Sequence, residues 1–409
     1  MNTLGPEEKR SIGRHLAAAA LVSAVTALVY GTIAWGMFAS FGDFEDHLDW
    51  AHRFYETGRP PVPHFLFHAL TALLFGSNVA ASYEIAGRLV MVKAYALTGL
   101  VTYAVYLIAF RGTQVGRPWV VAAVALATLA AQPITLADTY ALGYLWPEPY
   151  HSPTYAVMKP FALAAFAGAA WSLAHTKHVD GRLIGLFALV TIASALSKPN
   201  FVICVLPAAA IVTAYRQAQG LPVSLRGLLG GLFVPAAIVL AWQFAVAFSG
   251  AGADGMYQDS VSWAPLKFMR YWASDLTPKF IASAAFPLVV AILHWPRAGR
   301  DPLLQLGWLC LAFGALYSYT LVETINWTAG NFVWSGYIAL LTLFVATTVF
   351  WLRQLGVPLR GAALARALVC GAALLLHVAS GVRLDWLYLT HADCRVDLRL
   401  VEFVCARDD

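Results

Sequence analysis

The chain has 409 residues, of which 60% are apolar and only 12% are charged, whereas soluble domains are about 45–50% apolar and about 25% charged. This composition excludes a soluble globular protein, and it excludes intrinsic disorder, which requires low hydrophobicity and high net charge. The formal net charge of +5 does not indicate a nucleic-acid partner, because in a membrane protein the distribution of charge matters more than its sum. We predict an all-α polytopic membrane protein that forms a single domain over residues 1–409.

Apolar runs interrupted by charged and turn residues predict about eleven transmembrane helices. They cover residues 15–40, 83–110, 118–137, 155–174, 183–196, 201–215, 226–248, 278–294, 303–321, 332–352 and 363–383. The first run is too long for a removable signal peptide and is predicted to be a signal anchor. The runs 183–196 and 201–215 are too short to cross about 30 Å upright. Because SerLysProAsn at 197–200 separates them, we interpret the pair as a short hairpin or a broken helix.

Positive charge is distributed unevenly among the loops. With the amino terminus inside, the inner segments hold 14 of the 27 Lys and Arg residues and the outer loops hold seven. The positive-inside rule then places the tail, residues 385–409, outside. A disulfide between Cys394 and Cys405 in this tail is expected, because disulfides persist in oxidising compartments. Ala-rich helices and short loops favour a multi-pass protein of a bacterial plasma (inner) membrane.

The first outer loop, residues 41–82, carries the densest group of ionisable side chains. Asp43, Asp46 and His47 lie within about one helical turn of one another, so they can face one cavity at the membrane surface. One carboxylate could act as a general base. The second would raise its pKa or share a divalent cation with it, and we predict no other cofactor. A solvated interfacial loop is the alternative.

A 13-residue apolar stretch that ends at Gly76 is too short to span and predicts an amphipathic or re-entrant helix at the interface. His64 and His68 have the i,i+4 spacing of metal ligands, but no third ligand is evident nearby. We therefore interpret both as surface-lying histidines.

Several cations lie at the outer ends of predicted spans, where the positive-inside rule disfavours them. A charge in the apolar zone costs about 2.5–3.5 kcal/mol on insertion scales, so this group indicates either snorkelling or a shared anionic ligand such as a lipid phosphate. The candidate phosphate-binding residues are Arg88, Lys159, Lys198, Arg270 and Lys279. Lys198 lies in the break at 197–200, where unwound backbone can line a cavity.

Amide side chains beside indole rings in the short outer loop at 323–334 suit sugar hydroxyls and ring faces. The candidate substrate-binding residues are His47, His151, Glu323, Asn326, Asn331 and Trp334. An aromatic belt, which occurs at any membrane interface, explains the tryptophans equally well. The sequence has no Walker A loop, no GxGxxG, no HExxH and no CxxC, which argues against ATP-driven transport within this chain.

Residues 15–110 resemble the GT-C class of integral membrane glycosyltransferases, which take a sugar from a polyprenyl-phosphate carrier on the outer face. Members of that class have many spans and a first outer loop that opens with an acidic motif and continues into an interfacial helix. Here the acidic motif is GlyAspPheGluAsp at 42–46. The resemblance implies that Asp43 or Asp46 is the catalytic carboxylate, and we favour Asp43 because it is nearer the end of the first span.

The resemblance also implies an inverting displacement. The carboxylate would deprotonate a hydroxyl of a glycan or glycolipid acceptor while the lipid phosphate leaves, its charge met by outer Lys or Arg side chains. The alternative is a transporter or flippase of an anionic lipid or solute, whose midplane site would be the break at 197–200 and the buried cations. A third interpretation, a binding or assembly subunit, predicts that the acidic cluster is dispensable.

Overall fold

The computed structural model describes residues 6–37, 43–131, 152–175, 180–248, 260–272, 275–325, 327–355, 360–390, 394–397 and 402–405. These residues form 17 α-helices and four short strands. The helices are α1 (Pro6–Met37), α2 (Asp43–Thr57), α3 (Leu66–Gly76), α4 (Tyr83–Ala109), α5 (Pro118–Ala130), α6 (Pro153–Ala174), α7 (Gly181–Ser197), α8 (Asn200–Ala218), α9 (Leu225–Leu228), α10 (Val234–Phe248), α11 (Lys267–Trp272), α12 (Leu276–Ser283), α13 (Ala285–Leu293), α14 (Arg297–Arg300), α15 (Pro302–Thr320), α16 (Val333–Arg353) and α17 (Gly361–Thr390).

Eight helical segments in the described part are long and apolar enough to cross a membrane, with α9 and α10 counted as one continuous segment (Leu225–Ala247). Helices α12 and α13, which meet at a 67° bend, would make nine. The chain is therefore a multi-pass α-helical membrane protein, as predicted. A total of eleven would also need α5 and α7, which have only 13 and 17 residues. Helix α8 has 19 residues and is itself a candidate span, so it is longer than the predicted run 201–215.

Helix α16 lies at the centre of the bundle. From Val333 to Trp351 every residue except Leu341 is buried, because a helix that is apolar all round can be covered on every side. Helix α15 packs closely against it, and a Cβ added at Gly314 would lie 2.7 Å from the carbonyl oxygen of Ser335. This close contact holds the carboxyl end of α15 beside the amino end of α16.

Helix α17 is longer than predicted. The predicted span ends at residue 383, but the helix continues to Thr390. Leu384 and Tyr388 are buried in a cluster with residues of α1, α4 and α6. Asp385, which the sequence placed in the outer tail, is therefore a helical residue and is only 6% exposed.

Two small antiparallel strand pairs lie outside the helices and were not predicted, because segments of three or four residues carry almost no periodic signal. Strand β1 (Val261–Trp263) pairs with β2 (Leu321–Glu323). In the tail, β3 (Cys394–Asp397) pairs with β4 (Glu402–Cys405). The all-α prediction holds for the spans, with these four strands added at the ends of helices.

The register of the tail hairpin places Cys394 directly opposite Cys405. Opposed residues in an antiparallel pair have Cα atoms about 4.5–5.5 Å apart, and disulfides span Cα separations of about 4.4–6.8 Å. The two thiols lie outside the described side chains, so the disulfide stays a prediction.

Alkylation of the unfolded protein should test this disulfide. Cys204, Cys310 and Cys370 are free, so we expect iodoacetamide to label three cysteines without reductant and all five after reduction. Cys405→Ser should give four labelled cysteines under either condition, because Cys394 then has no partner. Five labels on the unreduced wild-type protein would contradict the prediction.

Candidate functional site

A cavity of about 240 Å³ brings together side chains from five separate segments, each at or near the end of a helix. The segments are α2, the stretch before α3, the residue before α6, the turn between α7 and α8 with the start of α8, and the stretch from β2 to α16. The ionisable and amide side chains that they contribute include Asp46, His47, His64, Lys198, Glu323 and Asn331. All of these except His64 were selected from the sequence as candidate site residues. The charge distribution also places all five segments outside.

Helix α2 presents Asp46 to the cavity because its opposite face is anchored. Phe44 and Ala51 follow the spacing of one helix face and are buried. The Phe44 ring lies 6.4 Å from the Phe67 ring of α3, centroid to centroid. Asp46 is exposed and lines the cavity. Asp43 is the first residue of α2, and its side chain lies outside the described part of the chain.

His68 is not a surface residue, so that interpretation is wrong. Helix α3 buries Phe67, His68 and Thr71 on its inner face, and His68 is fully buried. His47 Nδ1 and His68 Nε2 form a hydrogen bond of 2.8 Å, and the two rings stack with centroids 5.1 Å apart. Burial lowers the pKa of His68 to about 3, so His68 is neutral at physiological pH. No local sequence pattern predicts this bond, because its partners are 21 residues apart.

His64 is half-buried and lines the same cavity. Desolvation is the largest cause that lowers the pKa of His64 well below its ordinary value, followed by the charge of Lys198. A neutral imidazole therefore borders the cavity beside the Lys198 ammonium, so Lys198 supplies the positive charge on this side.

Lys198 lies in the two-residue turn between α7 and α8 and is only 6% exposed. Its Nζ donates a 3.4 Å hydrogen bond to Thr154 Oγ1 and lies 5.3 Å from the centre of the Trp334 ring. Trp334 was predicted as a sugar contact, but it is 5% exposed and packs beneath Lys198 and against Tyr155. Its indole therefore makes a cation–π contact with Lys198. A sugar that stacks on the ring needs an exposed ring face, and Trp334 is largely covered.

Three helices begin at this cavity. Ser152 caps α6, Pro199 caps α8 and Phe332 caps α16, and all three residues line it. A helix amino terminus carries partial positive charge and turns free N–H groups outward, so it favours anions. Helices α8 and α16 have no side-chain cap on these groups. The Lys198 side of the cavity is therefore electropositive, although Asp46 and Glu323 also line it.

Glu323 is held in a fixed orientation. Asn331 Nδ2 donates to both of its carboxylate oxygens, at 2.9 and 2.8 Å. Asn200 Nδ2 in turn donates to the Asn331 carbonyl oxygen and to Ser335 Oγ, each at 2.8 Å. Asn200 was not selected from the sequence. Its position directly after Lys198 and Pro199, between two apolar runs, could have identified it as a candidate site residue.

Lys159 lies in a different place. It is about 9 Å along α6 from Pro153, given the rise of about 1.5 Å per residue. Its Nζ lies 5.2 Å from the Tyr95 ring centre and 4.7 Å from that of Tyr155. The Asp385 carboxylate acts on it electrostatically and accepts a hydrogen bond from Tyr30. The Asp385 carboxylate therefore already interacts with the Lys159 ammonium, which was predicted to bind phosphate.

The other predicted cations do not line the described part of the cavity. Arg88 forms an ion pair with Glu84 and lies over the Trp35 ring, with Cζ 5.1 Å from the ring centre. Arg270 is exposed on α11, and Lys279 is half-buried on α12. The choice between snorkelling and phosphate binding stays a prediction for these three cations.

Two further predictions cannot be placed. His151 and Asn326 lie outside the described residues. Among the described residues no group of three or more His, Cys, Asp or Glu side chains could hold a metal ion. The shared divalent cation involved Asp43, whose side chain is not described, and it stays a prediction.

Comparisons of the chain with protein-family models, with curated proteins and with solved structures found no match. The functional interpretation therefore rests on the geometry of the cavity.

Proposed function

We propose that the protein is a glycosyltransferase that moves a sugar from a polyprenyl-phosphate carrier to a hydroxyl of a glycan or glycolipid acceptor. It would act in a bacterial plasma membrane, with its active site facing the periplasm or the exterior. The observation that carries this proposal is the cavity that holds the carboxylates of Asp46 and Glu323 together with the Lys198 ammonium. An inverting transfer needs a base for the acceptor hydroxyl and a cation for the departing phosphate. This cavity supplies both.

In the proposed reaction the acceptor oxygen attacks the anomeric carbon and forms the new C–O bond. Its proton passes to the carboxylate base, and the electron pair of the old C–O bond leaves with the phosphate. Lys198 and the amino termini of α6, α8 and α16 would stabilise the phosphate charge where it develops. The sugar is thereby transferred with inversion, and polyprenyl phosphate is released.

Asp46 is the carboxylate that we now favour as the base. It is exposed on α2 and lines the cavity, whereas the position of the Asp43 carboxylate is not described. Hydrogen bonds from Asn331 stabilise the charged form of Glu323 and make it a weaker proton acceptor. Glu323 is better suited to bind a sugar hydroxyl. The cavity volume of about 240 Å³ lies just below the ~300–1,000 Å³ of typical ligand pockets, which suits a single sugar unit.

The position of Lys198 favours this proposal over transport. A transporter site at the break 197–200 would lie at the membrane midplane, between the halves of a broken helix. Instead Lys198 lies where α7 ends and α8 begins, and α8 is itself long enough to span. One observation favours the alternative, a transporter or flippase of an anionic lipid or solute: a second cation, Lys159, lies about 9 Å along α6 from Pro153, and the charge of Asp385 acts on it.

Lys198→Met should weaken the binding of undecaprenyl phosphate by at least about tenfold, because a hydrogen bond to a charged group contributes about 1.5–3 kcal/mol. Binding can be measured by titrating the detergent-solubilised protein, with undecaprenol as the ligand that lacks a phosphate. Lys267→Met is the matched control, since Lys267 is exposed, lies 4.5 Å from the Trp327 ring centre and does not line the described cavity. Equal effects of the two substitutions would remove Lys198 from the phosphate site.

A further inference from the structure

The hydrogen bond between His47 and His68 has no role in the reaction as proposed so far. His47 lines the cavity and is 8% exposed, whereas His68 lies behind it and is fully buried. Trp50 contacts both rings edge-on, with centroid distances of 5.0 and 5.5 Å. A buried imidazole on an apolar helix is unfavourable unless it is hydrogen-bonded. This pair therefore fixes the plane and the rotation of the His47 ring.

The surroundings of His68 determine which nitrogen carries its proton. Nδ1 of His68 is buried and has no hydrogen-bond partner among the described residues. A neutral imidazole has one N–H donor and one acceptor nitrogen, and an orphaned buried N–H is rarer in proteins than an orphaned acceptor. The proton therefore belongs on Nε2, which donates to His47 Nδ1. His47 Nδ1 is then an acceptor, and neutral His47 carries its own proton on Nε2.

We propose that His68 is a positioning residue that presents the Nε2 N–H of His47 to the cavity as a hydrogen-bond donor for the phosphate of the lipid carrier. This inference rests on the proposed function. A sugar hydroxyl can both donate and accept, so it would bind either tautomer of His47. Phosphate oxygens at neutral pH chiefly accept, so a ring fixed as a donor matches phosphate. The bond is charge-assisted, and it would complement the contact from Lys198.

Two pairs of substitutions test this arrangement. In His68→Gln the amide nitrogen can occupy the position of His68 Nε2 and still donate to His47, whereas the shorter side chain in His68→Asn cannot reach. In His47→Gln the amide can place an N–H near the position of His47 Nε2. In His47→Asn the shorter side chain reaches only the position of Nδ1, the atom that faces His68. Both members of each pair place an amide at the same site, so their folding costs are similar.

The measurement is the binding of undecaprenyl phosphate, with undecaprenol as the ligand without phosphate and the melting temperature in detergent as a control for folding. We expect His68→Asn and His47→Asn to lose about tenfold in affinity for undecaprenyl phosphate, with undecaprenol binding unchanged. His68→Gln and His47→Gln should retain most of the affinity.

The outcomes separate this inference from the proposed function. If wild-type protein shows no preference for undecaprenyl phosphate over undecaprenol, the glycosyltransferase proposal itself fails. If wild type shows the preference and His68→Asn keeps it, only the role of the histidine pair is overturned. If His68→Asn does not fold, the comparison of His47→Asn with His47→Gln decides, and equal affinities would contradict the inference.

Discussion

Asp46→Asn should reduce the turnover of sugar transfer by about 10²–10⁴-fold, the usual contribution of general-base catalysis. The amide is nearly isosteric with the carboxylate but cannot accept the proton of the acceptor hydroxyl. Asp46 is exposed on α2, so the stability of the fold should barely change. Donor affinity should also stay near that of wild type, because in the proposed arrangement Lys198 and not Asp46 binds the phosphate. Turnover of purified protein with polyprenyl-phosphate sugars measures the effect.

Asp49→Asn is the matched control. Asp49 is also an exposed aspartate on α2, one turn further along, and it does not line the described cavity. Its substitution should leave turnover unchanged. Asp43→Asn resolves the choice of base: if it abolishes transfer while Asp46→Asn does not, Asp43 is the base. If both variants retain wild-type rates, the mechanism is wrong and the transporter proposal becomes the stronger one.

Lys159→Met should destabilise the fold, because the Asp385 carboxylate acts electrostatically on Lys159 and loses this nearby cation. Removing one partner of a full buried ion pair costs on the order of 3–5 kcal/mol, which sets the upper limit of the effect. Asp385→Asn should destabilise the protein for the converse reason. The double variant Lys159→Met/Asp385→Asn should recover most of the loss, because neither charge then remains unpaired. Thermal unfolding in detergent measures the three variants.

This experiment also separates a structural role of Lys159 from a phosphate contact. Lys93→Met is the control, because Lys93 is an exposed cation on α4. We expect the folded Lys159→Met protein to bind undecaprenyl phosphate with wild-type affinity. An unchanged melting temperature together with a tenfold loss of affinity would instead return Lys159 to the phosphate site.

Much of the site could be predicted because polar residues are conspicuous in so apolar a chain. Asp46, Lys198 and Glu323 attract attention as charges close to the ends of apolar runs, and the charge distribution places their loops on one side. Their meeting in one cavity could not be predicted, because it depends on how α2, α8 and α16 pack. The likeness of the amino-terminal region to the GT-C class gave an acidic motif but no information about Glu323.

The errors have two physical causes. His68 follows the apolar periodicity of α3, and its burial depends on a bond to His47 that the sequence cannot reveal. Asp385 was placed outside the membrane span, because the predicted span ends at Arg383. Leu384 and Tyr388, however, continue the buried face of the helix. In both cases a residue distant in sequence lowers the free-energy cost of burying the polar side chain. A prediction from local sequence cannot identify that residue.

The most direct test of the central claim is to reconstitute the purified protein in liposomes with radiolabelled undecaprenyl-phosphate pentoses and hexoses and a membrane extract as the source of acceptor. The products are then separated by chromatography. We expect label to move covalently to an acceptor and free undecaprenyl phosphate to appear in equal amount, with Asp46→Asn inactive. If the donor lipids move between leaflets with the sugar–phosphate bond intact, and Asp46→Asn does so as fast as wild type, the glycosyltransferase proposal is contradicted.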